Sequence, residues 1–364
     1  GARAFEGCSG LSSATLPDGV REVGARAFAD CAGLVHVWIP EGVESIGEGA
    51  FAGCPSLAYV EVPASVTNVG ARAFAGCAAL AEITVVRANR SYASRNGMLL
   101  SADGRTLLEG VNGDAAVPDG VEDIAEGAFA GRAGLARVSL PASVRTVGAG
   151  AFDGCAALAG IAVDPANGSY ASRDGLLLAA DGKTLVAGVN GDVSVPDGVE
   201  TVAEGAFAGR AGLVRVSLPA SAASVPASAF DGCGALAEIS VDPGNAAYSS
   251  RGGLLLTEDG TALVRGVNGD VAVPDGVERI APGAFAGLGG LVSVYLPESV
   301  LEIGEGAFRD CASLARVSLP RRFEGALGPD AFAGCPAGLV PAYRDAARAE
   351  GAVTVAWDAA RGTV

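Results

Sequence analysis

The chain has 364 residues, half of them apolar, with only 5% aromatics and a net charge of −16. That charge excludes nucleic acid, whose binding rests on phosphate neutralisation by Lys and Arg, and it disfavours anionic membrane surfaces. No run approaches the roughly 18 uninterrupted apolar residues of a membrane span, and an interior dominated by Ala, Val, Leu and Gly implies regular packing of small side chains.

In chain order, the first segment, G-A-R-A-F, opens halfway through a unit that recurs throughout, so the native N-terminus is expected upstream. No signal segment is visible here. The unit is marked by Ala-Phe, with Phe at 5, 28, 51, 74, 129, 152, 207, 230, 285, 308 and 332. Only Phe323 stands outside the phase. The period is 23, and three intervals are lengthened to 55; Phe74, Phe152, Phe230 and Phe308 are therefore each 78 apart.

A typical unit runs from Leu34 as L-V-H-V-W-I-P-E-G-V-E-S-I-G-E-G-A-F-A-G-C. Leu34, Val37 and Ile39 point one way along a short strand, which Pro40 ends because proline cannot continue a ladder. Pro-Glu-Gly supplies turn chemistry. Val43 and Ile46 suggest a second short buried segment, and Ala50-Phe51 a brief helical or 3₁₀ turn. One such unit cannot bury its apolar side alone; stacked copies can, which predicts a solenoid.

The longer intervals contain insertions near 87–116, 165–194 and 243–272, reading Y-A-S-R-N-G-M-L-L-S-A-D-G-R-T-L-L-E-G-V-N-G-D from Tyr92 and similarly from Tyr170 and Tyr248. Apolar runs flank Asp103-Gly104, Asp181-Gly182 and Asp259-Gly260, predicting β-hairpins with tight Asp-Gly turns. An Asn-Gly turn is expected to follow at Asn112, Asn190 and Asn268. The equal spacing predicts hairpins projecting from one side of a single solenoid domain over 1–340. At the end, 341–364 changes character: 341–350 has helical composition and 353–357 reads as a last strand, together a candidate cap over the open core.

The pattern L-x-x-[IV]-x-[IL]-P-x-x-V-x-x-[IV]-G-x-x-A-F-x-x-C resembles the BspA-like leucine-rich-repeat proteins of bacterial cell surfaces. Arg132, Arg210 and Leu288 depart from it by replacing the cysteine after each insertion, and Ala222, Ala223 and Pro226 weaken one turn. The resemblance implies a right-handed leucine-rich-repeat coil of about 23-residue repeats with a parallel sheet on its concave side. It also implies a non-catalytic extracellular module for binding or adhesion, with a host or neighbouring-cell protein or glycan as partner. A structural spacer displaying other domains is the alternative.

Motifs that could carry chemistry are weak. G-E-G-A-F-A-G-C at 47–54 has its glycines spaced G-x-G-x-x-x-G, which does not match the dinucleotide fingerprint, and its relatives at Gly24, Gly70, Gly148 and Gly304 occupy the same phase, as a repeated bend would. The eight cysteines, at 8, 31, 54, 77, 155, 233, 311 and 335, all follow a repeat Phe by three residues. Cys155 and Cys233 face turns without a cysteine, so a ladder of buried thiols acting as small hydrophobes is expected rather than disulfides. There is no C-x-x-C for zinc. His36 is the single histidine, which leaves no histidine metal cluster; a Ser–His–Asp or Cys–His arrangement would have to use it, and its outward strand position reads as a surface residue. The Asp-Gly segments read as turns rather than calcium loops. No cofactor, metal or catalytic group is therefore expected, nor membrane insertion, and the chain is expected to be monomeric.

The strand positions facing away from the core line the expected concave sheet, and most are small and polar. The candidate contact residues among them are His36, Trp38, Tyr59, Glu61, Glu82, Arg137, Arg215, Glu238, Tyr295 and Arg316. His36, Trp38 and Tyr59 fall on adjacent turns and are expected to form one exposed aromatic cluster of the kind enriched at interaction hot spots.

Overall fold

The structure is a computed structural model that describes residues 1–320, 326–337, 339–343 and 353–354. It is a parallel β-solenoid. A regular turn contributes one strand of three to six residues to a main sheet and one two-residue strand to a second sheet. His36–Trp38 pairs in parallel with Ser13–Thr15, and Ser45–Ile46 with Glu22–Val23 and Asn68–Val69. Between the two strands Val43 N–H donates to Pro40 O at 3.4 Å, with Gly42 at φ 102° in the position of a type II turn that requires positive φ. The chain divides into two compact units, Gly1–Asp181 and Gly182–Val364.

The third side of each turn holds the phenylalanine. In the regular turns its N–H donates to an alanine carbonyl of the next turn, as in Phe28 N to Ala50 O at 2.8 Å and Phe51 N to Ala73 O at 2.8 Å. Successive rings stack nearly parallel, with centroids 5.0 to 5.5 Å apart from Phe5 through Phe74, an offset arrangement favoured by the ring quadrupole. The Ala-Phe segments are hydrogen-bonded turns; among the described residues only Ala227–Phe230 is a 3₁₀-helix, and there is no α-helix.

The long intervals differ from the sequence expectation. The 55 residues from Phe74 to Phe129 hold two turns of the coil: Glu82–Val85 and Gly113–Ala116 are both main-sheet strands, the latter paired in parallel with Leu135–Leu140. Thr106–Glu109 likewise takes a second-sheet place beside Asp123–Ile124. The extra turn has no phenylalanine because Gly110 stands in its place. Gly110 N–H donates to Ala128 O at 2.7 Å, and the Phe129 ring lies directly over it, where a Cβ would fall inside the ring. Gly188 under Phe207 and Gly266 under Phe285 repeat the arrangement.

Within the first insertion Tyr92–Arg95 and Met98–Ser101 pair antiparallel about Asn96-Gly97, with φ of 52° and 74°, the two positive values of a type I′ turn. Met98–Ser101 pairs again, antiparallel, with Thr106–Glu109 across the Asp103-Gly104 segment. Tyr248–Arg251, Leu254–Thr257 and Ala262–Arg265 repeat this, and Tyr170–Arg173 pairs antiparallel with Leu176–Ala179. Met98, Leu99 and Leu100 are all buried, so the middle strand belongs to the core rather than standing off it. The hairpin tip joins neighbouring main-sheet strands: Ile83 N–H donates to Gly97 O at 2.7 Å and Asn96 Nδ2 to Ala116 O at 3.0 Å.

Side chains close the gaps the insertion opens. Asn89 Nδ2 donates to Pro63 O and Val66 O, while its Oδ1 accepts from Ser91 and Tyr92 N–H; Asn167 and Asn245 do the same in their copies. The Tyr92 hydroxyl accepts from Val69 N–H at 2.8 Å, at the edge of the second sheet. The Asn-Gly turn expected at Asn112 is a bend that leads into the strand Gly113–Ala116, and the Asn112 amide donates to Cys77 O and Leu80 O and accepts from Gly134 N–H.

The helix expected over 341–350 does not start as one. Val340–Tyr343 is a strand, parallel to Arg316–Leu319 and antiparallel to Val353–Thr354. Residues 344–352 and 355–364 of the expected cap lie outside the described residues.

Gly188→Ala is expected to lower stability by roughly 1–3 kcal/mol, because the Phe207 ring has no room to withdraw in a close-packed stack. Gly160→Ala, whose Cβ meets nothing within 4 Å, is expected to stay within about 0.5 kcal/mol of the parent. Urea denaturation midpoints of the two variants check this.

Candidate functional site

The cysteines were the first candidates for chemistry. All eight are free, and six are buried; Cys8 is exposed and Cys335 partly so. Each thiol from Cys31 onward donates to the carbonyl of a phenylalanine one turn back, as Cys54 does to Phe28 O at 3.0 Å and Cys77 to Phe51 O at 3.2 Å. Burial pushes the Cys54 thiol up to about 12 and those of Cys77 and Cys233 to about 11. A thiol held protonated is a poor nucleophile and a poor metal ligand. These groups serve as hydrogen-bond donors in the core.

The replaced cysteines follow from the same bonding. The extra turn carries no thiol, so two phenylalanine-phase carbonyls in succession lack a donor. Arg132 serves both: its Nε donates to Gly110 O at 2.8 Å, and Nη1 reaches Phe74 O. Its Nη2 pairs with Glu109 at 2.8 Å, with side-chain exposures of 0% and 5%, and Glu109 in turn accepts from Phe74 N–H. Burial pushes the Glu109 carboxyl up against the pull of Arg132. In the second copy Arg210 Nε donates to Gly188 O at 2.9 Å beside Ala187. In the third, Leu288 takes the arginine's phase and Arg265 the glutamate's. Arg265 donates to Phe230 O, Ala286 O and Gly283 O and pairs with Asp231 at 3.2 Å. Sequence reading registered Arg132, Arg210 and Leu288 only as departures; Glu109, Ala187 and Arg265, 78 apart, are the signal that would have shown the exchange.

The acidic turn residues also have structural employment. Asp259 accepts from Thr257 Oγ1 and from the Thr261 N–H and hydroxyl, which lowers its carboxyl to about 2; Asp103 is lowered by Ser101 and the Arg105 N–H. Among the described residues no group of three or more His, Cys, Asp or Glu could hold a metal ion. No described helix is long and apolar enough to cross a membrane.

On the main sheet's outward face the predicted alternation holds: His36 and Trp38 are exposed on either side of buried Val37. Ser13, His36, Tyr59 and Glu82 are register partners in one row across four strands. Trp38 lies two residues along from His36 on the same face, 52% exposed. Tyr59 is half-buried, its hydroxyl 2.7 Å from Thr84 Oγ1 and 3.3 Å from exposed Glu61. His36, Trp38, Tyr59, Glu61 and Glu82 therefore share one patch. Arg137 is exposed with Nη1 3.9 Å from Asp114. In the second unit Arg215 bridges Asp192 at 3.1 Å and Glu238 at 3.3 Å. Tyr295 is half-buried opposite Ser318, and exposed Arg316 pairs in register with Ser293. Sequence reading missed Asp114 and Asp192, which sit on the strands of the extra turns; the repeated N-G-D after each insertion marks them.

The sequence profile of the BspA type leucine rich repeat region matches residues 1–95, 113–170, 190–250 and 269–337, in six copies. The chain belongs to this family. Its BspA-type repeats are similar to several solved structures. A leucine rich cell surface protein from Faecalibacterium prausnitzii is 32% identical over 66% of this chain and 62% of its own, with a TM-score of 0.47. A leucine-rich repeat protein from Eubacterium ventriosum is 19% identical over 89% and 88%, with a TM-score of 0.45. The pneumococcal vaccine antigen PcpA is 20% identical over 90% and 69%, with a TM-score of 0.41. The chain thus spans 62% of the length of the Faecalibacterium protein. No curated protein matches it.

The thiol ladder of these BspA-type repeats sets an alkaline limit. The unfolded chain loses its thiol protons near pH 9, whereas Cys54, Cys77 and Cys233 keep theirs to pH 11–12. Their contribution is fully present below the unfolded pKa and is lost as pH rises through the folded values. Stability is expected to fall steadily above about pH 9. A disulfide-exchange reagent at pH 8 is expected to label Cys8 quickly, Cys335 slowly and the other six only after denaturation; denaturation midpoints against pH and timed thiol counts check both statements.

Proposed function

We propose that this chain is a non-catalytic binding module of a bacterial surface protein, and that it contacts a host or neighbouring-cell protein or glycan through the outward face of its main sheet. One observation carries the reading. On a face made mostly of small polar residues, an exposed tryptophan adjoins a His36–Tyr59 register pair, and the Tyr59 hydroxyl is already fixed by Thr84 and Glu61. A held aromatic loses little side-chain entropy on docking, and Trp and Tyr supply a large part of the energy at interfaces. The backbone beneath is tied by parallel ladders to the turns on each side, which suits a surface varied on a constant frame. The family supports the surface location and the binding role, and Glu61 and Glu82 beside the aromatics favour a partner with hydrogen-bond donors.

Trp38→Ala combined with Tyr59→Ala is expected to weaken binding by more than about tenfold, the loss of a hot spot of ~2 kcal/mol or more. The assay is surface-plasmon titration of the partners that an array of matrix proteins and glycans first identifies for the parent chain. Equal affinity of parent and variant, or no partner for either, sinks the reading and leaves a spacer role.

A further inference from the structure

We propose that a hollow beside the first insertion receives a lysine or arginine side chain of an extended partner peptide. This goes beyond the Trp38 reading and does not rest on it. Strands Gly113–Ala116, Leu135–Leu140 and Gly160–Val163 lie in register, so that Ala116, Ser139 and Ala162 form one row. At the same place in the repeat other strands carry Trp38 and Tyr295. The three small residues leave a cavity of about 460 Å³, within the range of roughly 300–1,000 Å³ typical of ligand sites. The hairpin tip walls one side, where Asn96 Nδ2 is fixed on Ala116 O at 3.0 Å.

The chemistry of the rim selects the occupant. Asp119 and Asp164 both line the hollow and both are exposed. Asp119 makes no hydrogen bond or ion pair, and the Asp164 carboxylate accepts only from Ala166 N–H, at 2.8 Å, while its backbone carbonyl accepts from Asn167 N–H. No basic residue lines the hollow, which rules against an anion, and no aromatic ring does, which leaves a sugar nothing to stack on. Arg137, the basic side chain two residues before Ser139 on the same face, stands 3.9 Å from Asp114, which offsets its charge. Two carboxylates without a cation, in a chain of net charge −16, attract and orient a cationic group. The hollow opens along a row of small side chains, where a polypeptide gains contacts that a free amine does not.

The test titrates the full chain with a fluorescent peptide alternating lysine and threonine, its glutamate counterpart, and N-acetyl-lysine amide, following anisotropy at low and physiological salt. Asp119→Asn with Asp164→Asn changes charge but not shape; Ser139→Tyr, the residue of the third copy at this place, fills the hollow without changing charge. Asp18→Asn with Glu48→Gln removes the same charge elsewhere. The lysine peptide is expected to bind the parent and the glutamate peptide not. The first two variants are expected to lose about tenfold or more in affinity, the third about twofold or less. Trp38→Ala is expected to leave this binding unchanged, separating its failure from that of the proposed function. Equal losses in all three variants, an unaffected Ser139→Tyr, no binding to the parent, or equal binding of the glutamate peptide would overturn the proposal. So would lysine amide binding as tightly as the peptide. All variants alter exposed groups, and their unchanged melting curves confirm that any loss is one of binding.

Discussion

The carbonyl oxygen of each stacked phenylalanine needs a donor from the following turn, and the coil is organised around meeting that need. A buried carbonyl left without a partner costs about 1–3 kcal/mol, and this one recurs at every turn. The thiols of Cys31, Cys54 and Cys77 supply the donor in the regular stretch. That explains why the cysteines keep strict phase and why none pairs with another: their hydrogens are committed to the backbone.

The insertions show the same requirement under strain. An extra turn is admitted by giving up its phenylalanine, since Gly110 leaves room for the Phe129 ring, and by giving up its thiol. A longer donor must then reach across two turns. A guanidinium suits this, with several N–H groups in a planar fork, but it brings a charge into the core. Glu109 compensates that charge in the first copy and Asp231 in the third. Asn89, Tyr92 and Asn112 bond further backbone groups where the hairpin joins the coil.

The coil, its period and its inward residues were legible in the sequence because core positions in stacked turns are nearly invariant. Phe51 and Cys54 announced themselves through their siblings. The extra turn was not legible, since Gly110 works by absence of a side chain and leaves no hydrophobic mark. The antiparallel pairing across Asp103-Gly104 was legible from its flanking apolar runs, whereas the turn at Asn96-Gly97 was not, because Tyr92–Arg95 on its far side carries no apolar run. Arg265 was invisible from its own surroundings, since its phase holds glutamate and alanine in the other copies. On the outward face alternation placed His36, Trp38 and Tyr59 correctly. It could not show that Arg215 is held between Asp192 and Glu238, because Asp192 lies on a strand of the unrecognised turn.

The exchange between Glu109–Arg132, Ala187–Arg210 and Arg265–Leu288 has a genetic consequence. Three similar 78-residue segments invite unequal crossing-over, which would delete or duplicate a copy. A crossover falling between the two positions joins Glu109 to Leu288, burying a carboxylate with no cation, or Arg265 to Arg132, crowding two cations into one site. Either product carries an unpaired buried charge, among the most destabilising changes a core can suffer. The third insertion is thereby matched to the turn that follows it. The array can exchange within its first two copies, where both carry arginine after the insertion, but it resists being cut and rejoined between either of them and the third.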